Sequence, residues 1–272
     1  ITPSNMPINF FYSYLFGLLS GNINIVRVPS KNFTQTVFLM NILDKVLHSP
    51  KFEDIKNMSN FISYEKDDQI TENLSKICNC RVIWGGDKTV DSIRRVYLPA
   101  KSREITFCDK FSLSIINLNE ISNIDEKSME TLVKNFFTDG YLIDQNACSS
   151  PHIIIWKGLE NKNIKKIFWD KLEKYVGSSY EIPDIAALDK YTKYCEDLIK
   201  LDISKSYISQ DNGLHVMTLK KLPENSDSLK SKWGYFYEFN ILDYSEINSF
   251  IDDNFQTVTY FGIDKKKLIN FI

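Results

Sequence analysis

Hydrophobic and polar positions along the chain switch repeatedly between a helical and a strand period, and the switches mark the elements. From Phe10 to Ser20 apolar residues run all round the helical wheel, which predicts a well-buried helix stopped by Gly21-Asn22. Ile23 to Val28 reads as a buried strand closed by Pro29, and Lys31 to Leu47 carries Phe33, Val37, Phe38, Ile42, Leu43 and Val46 at helical spacing. Met58 to Tyr64 is a short strand-like run and Asp68 to Cys78 is helical. Arg81 to Trp84 is again strand-like, and Asp87 to Val96 is helical after Gly85-Gly86. Strands alternating with helices predict an α/β fold with parallel strands and right-handed crossovers.

A second α/β unit begins near residue 111. Ile105 to Phe107 and Leu113 to Leu118 are β-like, Met129 to Phe137 is a helix, and Ile153 to Trp156 is a buried strand. Lys162 to Val176 is an amphipathic helix with Ile164, Ile167, Phe168, Leu172 and Tyr175 in one stripe. Asp184 to Leu201 is helical, and His215 to Leu219 and Tyr235 to Leu242 are strands. Tyr244 to Asn254 reads as a helix capped by Ser245, Thr257 to Phe261 as a strand and Lys265 to Phe271 as a helix. The pattern contains neither repeats nor a low-complexity tract.

Composition narrows the classes. The 272 residues hold 33 Lys+Arg against 35 Asp+Glu, so a net charge of −2 gives no footprint for nucleic acid, whose binders neutralise phosphates with a cationic surface. The longest apolar stretch, Phe10 to Leu19, is about half of a bilayer-spanning helix, and no membrane span is expected. Five cysteines (Cys78, Cys80, Cys108, Cys148, Cys195) have no paired spacing, and no secretory signal is legible, which predicts free thiols in a cytoplasmic setting. With His48, His152 and His215 scattered, no zinc site is expected. The opening Ile1-Thr2-Pro3-Ser4-Asn5-Met6-Pro7 lacks an initiator Met, and the chain reads as part of a longer protein.

Four segments can carry chemistry. Asp144-Gln145-Asn146-Ala147-Cys148-Ser149-Ser150-Pro151 presents a Cys from a tight polar turn, either as a nucleophile steadied by backbone N–H groups or as an ordinary loop thiol. In Pro7-Ile8-Asn9-Phe10-Phe11, Asn9 is placed to donate to an oxyanion or simply to cap a helix. The segment from Gly21 to Lys31 delivers Arg27, Ser30 and Lys31 at a strand's carboxyl end, where open α/β sheets bind ligands; a solvated basic strand end is the alternative. Val82 to Val90 is strand, Gly85-Gly86, helix. That geometry admits a pyrophosphate at a helix N-terminus or is a plain turn, and neither GxGxxG nor GxxxxGK[ST] is complete.

In kind and order these segments, with Lys110-Phe111-Ser112, resemble the aldehyde dehydrogenase superfamily over essentially the whole chain. They come closest to its acyl-thioester reductase branch, the bacterial long-chain fatty acid reductase of bioluminescence (LuxC-like) and its acyl-CoA reductase relatives. The resemblance implies an aldehyde dehydrogenase-like α/β fold. A Rossmann-type NADP-binding domain over 1–110 would be incomplete at its N-terminal side, and an α/β catalytic domain over 111–272 incomplete at its C-terminal end. It implies Cys148 as nucleophile, Asn9 with the Cys148 N–H as oxyanion hole, Arg27 at the adenosine ribose, and Gly85 and Gly86 at the pyrophosphate turn. Ser30 stands where the family often has an acidic residue selecting NAD. A neutral Ser30 between Arg27 and Lys31 leaves room and charge for a 2′-phosphate, favouring NADPH.

Departures from the family pattern refine the chemistry. Thr106 stands where hydrolytic relatives have a Glu base, so the implied direction is from acyl thioester to aldehyde rather than to acid. Asp87 brings a carboxylate to the helix start, to be offset by Lys88. Near Lys232-Trp233-Gly234-Tyr235 the family's Glu-x-Phe-Gly is not legible. The expected reaction is NADPH-dependent reduction of a long-chain fatty acyl thioester, donated by CoA or an acyl-protein synthetase, in a full-length protein that forms a homo-oligomer. A non-catalytic truncated paralogue serving as a scaffold subunit is the rival reading, and an aldehyde oxidiser a weaker one. His152, four residues after Cys148, is expected to be a core or surface residue.

Overall fold

The structure, a computed structural model, describes residues 1, 6–31, 33–65 and 67–269. The chain divides into two compact units, Ile1–Asp109 and Lys110–Ile272.

The first unit runs α1 (Asn9–Leu19), β1 (Asn24–Arg27), α2 (Thr34–Leu47), α3 (Glu53–Asn57), β2 (Ser59–Ile62), α4 (Asp68–Ile77), β3 (Cys80–Trp84), α5 (Asp87–Arg94) and β4 (Arg103–Phe107). Two parallel pairs, β1 with β2 and β3 with β4, carry the unit. Helix α1 ends in a Schellman turn: Gly21, at φ 76°, donates to the Leu18 carbonyl, and Asn22 donates to that of Gly17. Its apolar circumference is not buried all round, contrary to expectation. Phe10 and Tyr14 pack with Val26 and Leu43, while Tyr12, Phe16 and Leu19 are exposed, because a single face meets the β1–β2 layer. Strand β1 is likewise only half-buried, with Val26 alone inside. Trp84 stacks on Phe107 at 3.8 Å and donates its indole N–H to Ser13, tying β3 to α1. Arg81, buried in β3, binds Glu104 of β4 and also donates to Ser75 of α4 and the Val96 carbonyl, so one guanidinium joins two strands, a helix and the turn that follows α5.

The second unit comprises β5 (Phe111–Asn117), α6 (Leu118–Ile121), α7 (Glu126–Tyr141), β6 (Ile153–Lys157), α8 (Lys162–Ser179), α9 (Asp184–Lys200), β7 (Ile203–Ile208), β8 (His215–Leu219), β9 (Tyr235–Ile241), β10 (Phe255–Phe261) and α10 (Lys265–Ile269). The six-stranded sheet has the order β10-β5-β6-β9-β8-β7. All neighbours are parallel except β7 and β8, an antiparallel edge that the hydrophobic pattern does not announce. Strands β5 and β6 are buried along nearly their whole length because both faces are covered, and β6 is a continuous apolar run up to Lys157. Ile116, Ile154, Trp156 and Phe236 meet Phe136, Phe168 and Leu172 of α7 and α8. Leu113, Ile115, Ile153, Ile155 and Tyr237 face the opposite layer. In α8 the stripe is shifted: Phe168, Trp169, Leu172 and Val176 are buried, and Ile167 is exposed. A buried carboxylate in β9, Glu238, is satisfied by the indoles of Trp156 and Trp169 and by Thr218.

The helix expected over 244–254 is one short 3-10 turn, Tyr244–Ile247. Its cap is Asp243, in a capping box with Glu246, rather than Ser245. The last two residues of the helix expected over 265–271, Asn32 within the one expected from Lys31, and most of the opening segment (2–5) lie outside the described residues. No described helix is long and apolar enough to cross a membrane.

Candidate functional site

The thiol loop in the second unit is built on a strained turn. After α7, Asp144 and Gln145 take left-handed φ values of 51° and 61°, which side chains with a Cβ rarely adopt. Local bonds hold them there. The buried Gln145 amide donates to the carbonyls of Pro151 at 3.0 Å and Tyr235 at 3.1 Å, and its oxygen accepts the Tyr235 N–H at 3.2 Å. Asp144 accepts from the Tyr180 hydroxyl at 2.6 Å and, through its carbonyl, from the Trp233 N–H at 3.2 Å. Ser150 donates to the Asp139 carbonyl, fixing the loop's far end to α7.

Between these anchors Cys148 is exposed, with its carbonyl accepting a 2.6 Å bond from Ser112 of β5. Its sulfur accepts a 3.2 Å hydrogen bond from the side-chain amide of Gln256 in β10. An exposed sulfur on a rigidly held backbone can attack an electrophile without rearranging its support. Sequence reading missed Gln256. It lies 108 positions from Cys148, and no local pattern joins the two.

His152 belongs to the core. It is buried against Phe111 and Ser231, and Ser231 donates its N–H to the ring at 3.3 Å. Burial, with smaller contributions from Lys230 and Lys193, pulls its imidazole from 6.5 down to about 3. His215 is likewise lowered, to about 4, by burial and then by Lys190. The unfolded chain takes up these protons near pH 6.5 while the folded chain refuses them until far lower. Histidine-linked stability is therefore complete above the unfolded value and is lost as the pH falls towards the folded one. From pH 7 to 5 the His152 share is about 2 kcal/mol. Thermal midpoints measured across that range should fall steadily for the parent protein and less steeply for His152→Asn.

In the first unit, the expected cofactor residues converge. A cleft of about 520 Å³ is lined by Arg27, Ser30, Gly85 and Gly86, together with Asp67, Asp68, Thr71 and Lys88. Lys31 is exposed beside Ser30 and is not part of the lining. The cleft lies at the carboxyl ends of β1 and β3, each a member of a parallel pair, the side on which open α/β sheets take ligands. Arg27 is braced, donating to the Tyr64 carbonyl at 3.0 Å and lying 4.4 Å from the centre of that ring.

Asp87 turns away from the expected pyrophosphate position. Its carboxylate accepts the Asp109 N–H, and Asp109 accepts the Asp87 N–H, both at 3.3 Å. A Cβ on Gly86 would come within 2.8 Å of the Asp109 carboxylate, which would have to swing aside. Asp67 caps α4 by accepting from the Gln69 and Ile70 N–H groups. Asp67 and Asp68 were legible in principle, because a helix start following a strand falls on the same edge of the sheet.

Asn9 opens α1 in the first unit, one residue inside the cap, and no capping bond engages a side chain there. Among the described residues its amide makes no hydrogen bond to another side chain or to backbone, so the capping alternative does not hold. Cys148 belongs to the second unit.

A family model described as acyl-CoA reductase (LuxC) matches residues 1–226. No curated protein matches the sequence. Among solved structures the chain is similar to an aldehyde dehydrogenase from Brucella melitensis biovar abortus 2308, at 13% identity and TM-score 0.68, over 99% of this chain and 57% of that one. A salicylaldehyde dehydrogenase from Pseudomonas putida G7 matches at 11% identity and TM-score 0.69, over 100% of this chain and 57% of that one. An NAD-dependent benzaldehyde dehydrogenase from Corynebacterium glutamicum matches at 11% identity and TM-score 0.66, over 98% and 59%. The fold is thus aldehyde dehydrogenase-like, and the chain spans less than two thirds of the length of each of these structures.

Proposed function

The chain belongs to the acyl-CoA reductase (LuxC) family, and from that premise we propose that the intact protein reduces a long-chain acyl thioester to the fatty aldehyde through an acyl-enzyme on Cys148, with NADPH as reductant. The observation that carries this reading is the exposed Cys148 sulfur on a loop whose backbone is pinned on both sides. The thiolate attacks the thioester carbonyl carbon, forming a new C–S bond. The Cys148 N–H would take the oxyanion, with the Asn9 amide proposed as its second donor; the donor's own C–S bond then breaks and its sulfur leaves as thiolate, taking up the proton that Cys148 gave up. A nicotinamide cofactor held by the first unit would supply the hydride that takes the acyl group to the aldehyde level. Collapse of the Cys148 thiohemiacetal then frees the aldehyde and restores the thiol.

The cleft of the first unit suits the adenosine half of such a cofactor, being polar and set at the carboxyl ends of parallel strands. Arg27 would sit at the ribose, and Ser30 with the neighbouring Lys31 at the 2′-phosphate. The Gly85-Gly86 turn would let the backbone approach the pyrophosphate. The Asp67 carboxylate is engaged at the start of α4, which lessens its repulsion of a phosphate. The donor is CoA or an acylated protein.

Radiolabelled acyl-CoA mixed with the intact protein should label the Cys148 peptide, and NADPH should then release the label as aldehyde faster than NADH does. Ser30→Asp should reverse that preference by about tenfold or more, because a carboxylate repels the 2′-phosphate and accepts from the ribose hydroxyls. Absence of label on Cys148 would sink the covalent route, and an unchanged preference in Ser30→Asp would sink the NADPH assignment.

A further inference from the structure

We propose that Gln256 is a catalytic residue of this thioester chemistry, a neutral donor aimed at the nucleophile that promotes acyl transfer to Cys148 while leaving the acyl-enzyme resistant to water; the assignment rests on the acyl-enzyme reading above. Its position in the sheet is the first argument. Phe255 pairs with Phe111 and Thr257 with Ser112, so two successive residues of β5 face three of β10, and Gln256 is the extra one. A residue in such a bulge is released from the regular alternation of the strand, and bulges re-aim side chains beside functional sites. Here the released amide reaches Cys148, with its nitrogen 3.2 Å from the sulfur. The Ser112 opposite the same bulge donates to the Cys148 carbonyl at 2.6 Å, so two adjacent strands fix both the backbone and the sulfur of one residue.

The chemistry of an amide is the second argument. Its nitrogen, 3.2 Å from the sulfur, lies where it can follow negative charge from sulfur to the carbonyl oxygen as the C–S bond forms. Unlike a carboxylate, an amide cannot take a proton from water at neutral pH. A thioester beside Gln256 therefore has a donor at hand and no base from that residue. A carboxylate at this position would deprotonate a water molecule as it attacks the acyl carbon, with the C–S bond breaking, the sulfur leaving as thiolate and free fatty acid as the product.

Peptide-resolved alkylation of the intact protein with iodoacetamide at neutral pH, without substrate or cofactor, tests the first half. Cys80 and Cys108, both exposed, serve as internal references. Gln256→Leu should slow alkylation at Cys148 by about tenfold relative to those references, the loss of one hydrogen bond to a charged acceptor. A change smaller than twofold overturns the role of the Gln256 bond to the sulfur. Acyl-CoA turnover by Gln256→Glu tests the second half. The ratio of fatty acid to aldehyde should rise by about a hundredfold, the scale of a positioned general base, and an unchanged ratio overturns the protective role. The alkylation arm needs no turnover, so its failure refutes Gln256 and leaves the reductase reading standing. A normal alkylation contrast with no acyl group on Cys148 in any variant refutes the reductase reading instead.

Discussion

Cys148→Ala in the intact protein is expected to reduce aldehyde formation from an acyl thioester by at least about a thousandfold, because no other group takes over the covalent step. The side chain is exposed, and the loop is held by Gln145, Ser112 and Ser150 rather than by the thiol. Stability should therefore stay within about 0.5 kcal/mol of the parent, as for other surface substitutions. Steady-state rates with a thermal melt on the same preparation measure both. Activity near that of the parent would exclude Cys148 as nucleophile. In the same assay Asn9→Ala should cost about a hundredfold in kcat, the usual loss of one oxyanion donor. Asn5 stands four residues earlier, outside the described residues. If Asn5→Ala carries that loss and Asn9→Ala does not, the oxyanion donor is Asn5.

Gly234→Ala should be among the most destabilising single changes in the second unit. Gly234 has φ 75°, where an L side chain costs about 1–2 kcal/mol by itself. A Cβ there would also fall 2.5 Å from the Gly213 carbonyl oxygen, and closer still to the Tyr141 hydroxyl. The carbonyl is backbone, and Tyr141 is fully buried with its hydroxyl bonded to that same carbonyl, so neither neighbour can yield cheaply. A loss above about 3 kcal/mol is expected from the two effects together. Denaturant unfolding of the variant is the measurement, and a loss under 1 kcal/mol would contradict the packing described for this turn. Because Trp233 holds Asp144 and Tyr235 holds Gln145, the damage should reach the thiol loop and slow Cys148 labelling as well.

How much of this was legible in the sequence depends on the range of the forces involved. Strand β6 could be read because its apolar run is dictated by burial on both faces, and α7 and α8 because one stripe meets that sheet. The cofactor cleft was readable to the same degree: Arg27 and Ser30 follow the carboxyl end of β1 and Gly85 and Gly86 that of β3, and all four line one cleft.

The 244–254 segment misled because its apolar residues, Ile247, Phe250 and Ile251, have helical spacing. Its end carries Asp252 and Asp253, a poor match for a helix C-terminus, and Asp252 instead accepts the Asn254 N–H and turns the chain into β10. The bulge that aims Gln256, and the buried Gln145 linking two loops, depend on contacts about a hundred positions apart. Periodicity carries no information about them.

The placement of β10 has a consequence for the order in which the molecule matures. This strand pairs in parallel with β5, the first strand of its unit, over a separation of more than 140 positions. Closing so long a loop defers the reward of the pairing, so this part of the sheet belongs among the late events of folding. During synthesis the Cys148 loop is outside the ribosome well before Gln256 has been made. The proposed nucleophile therefore acquires its amide partner only after about a hundred further residues have been made, and until then its sulfur lacks that hydrogen bond.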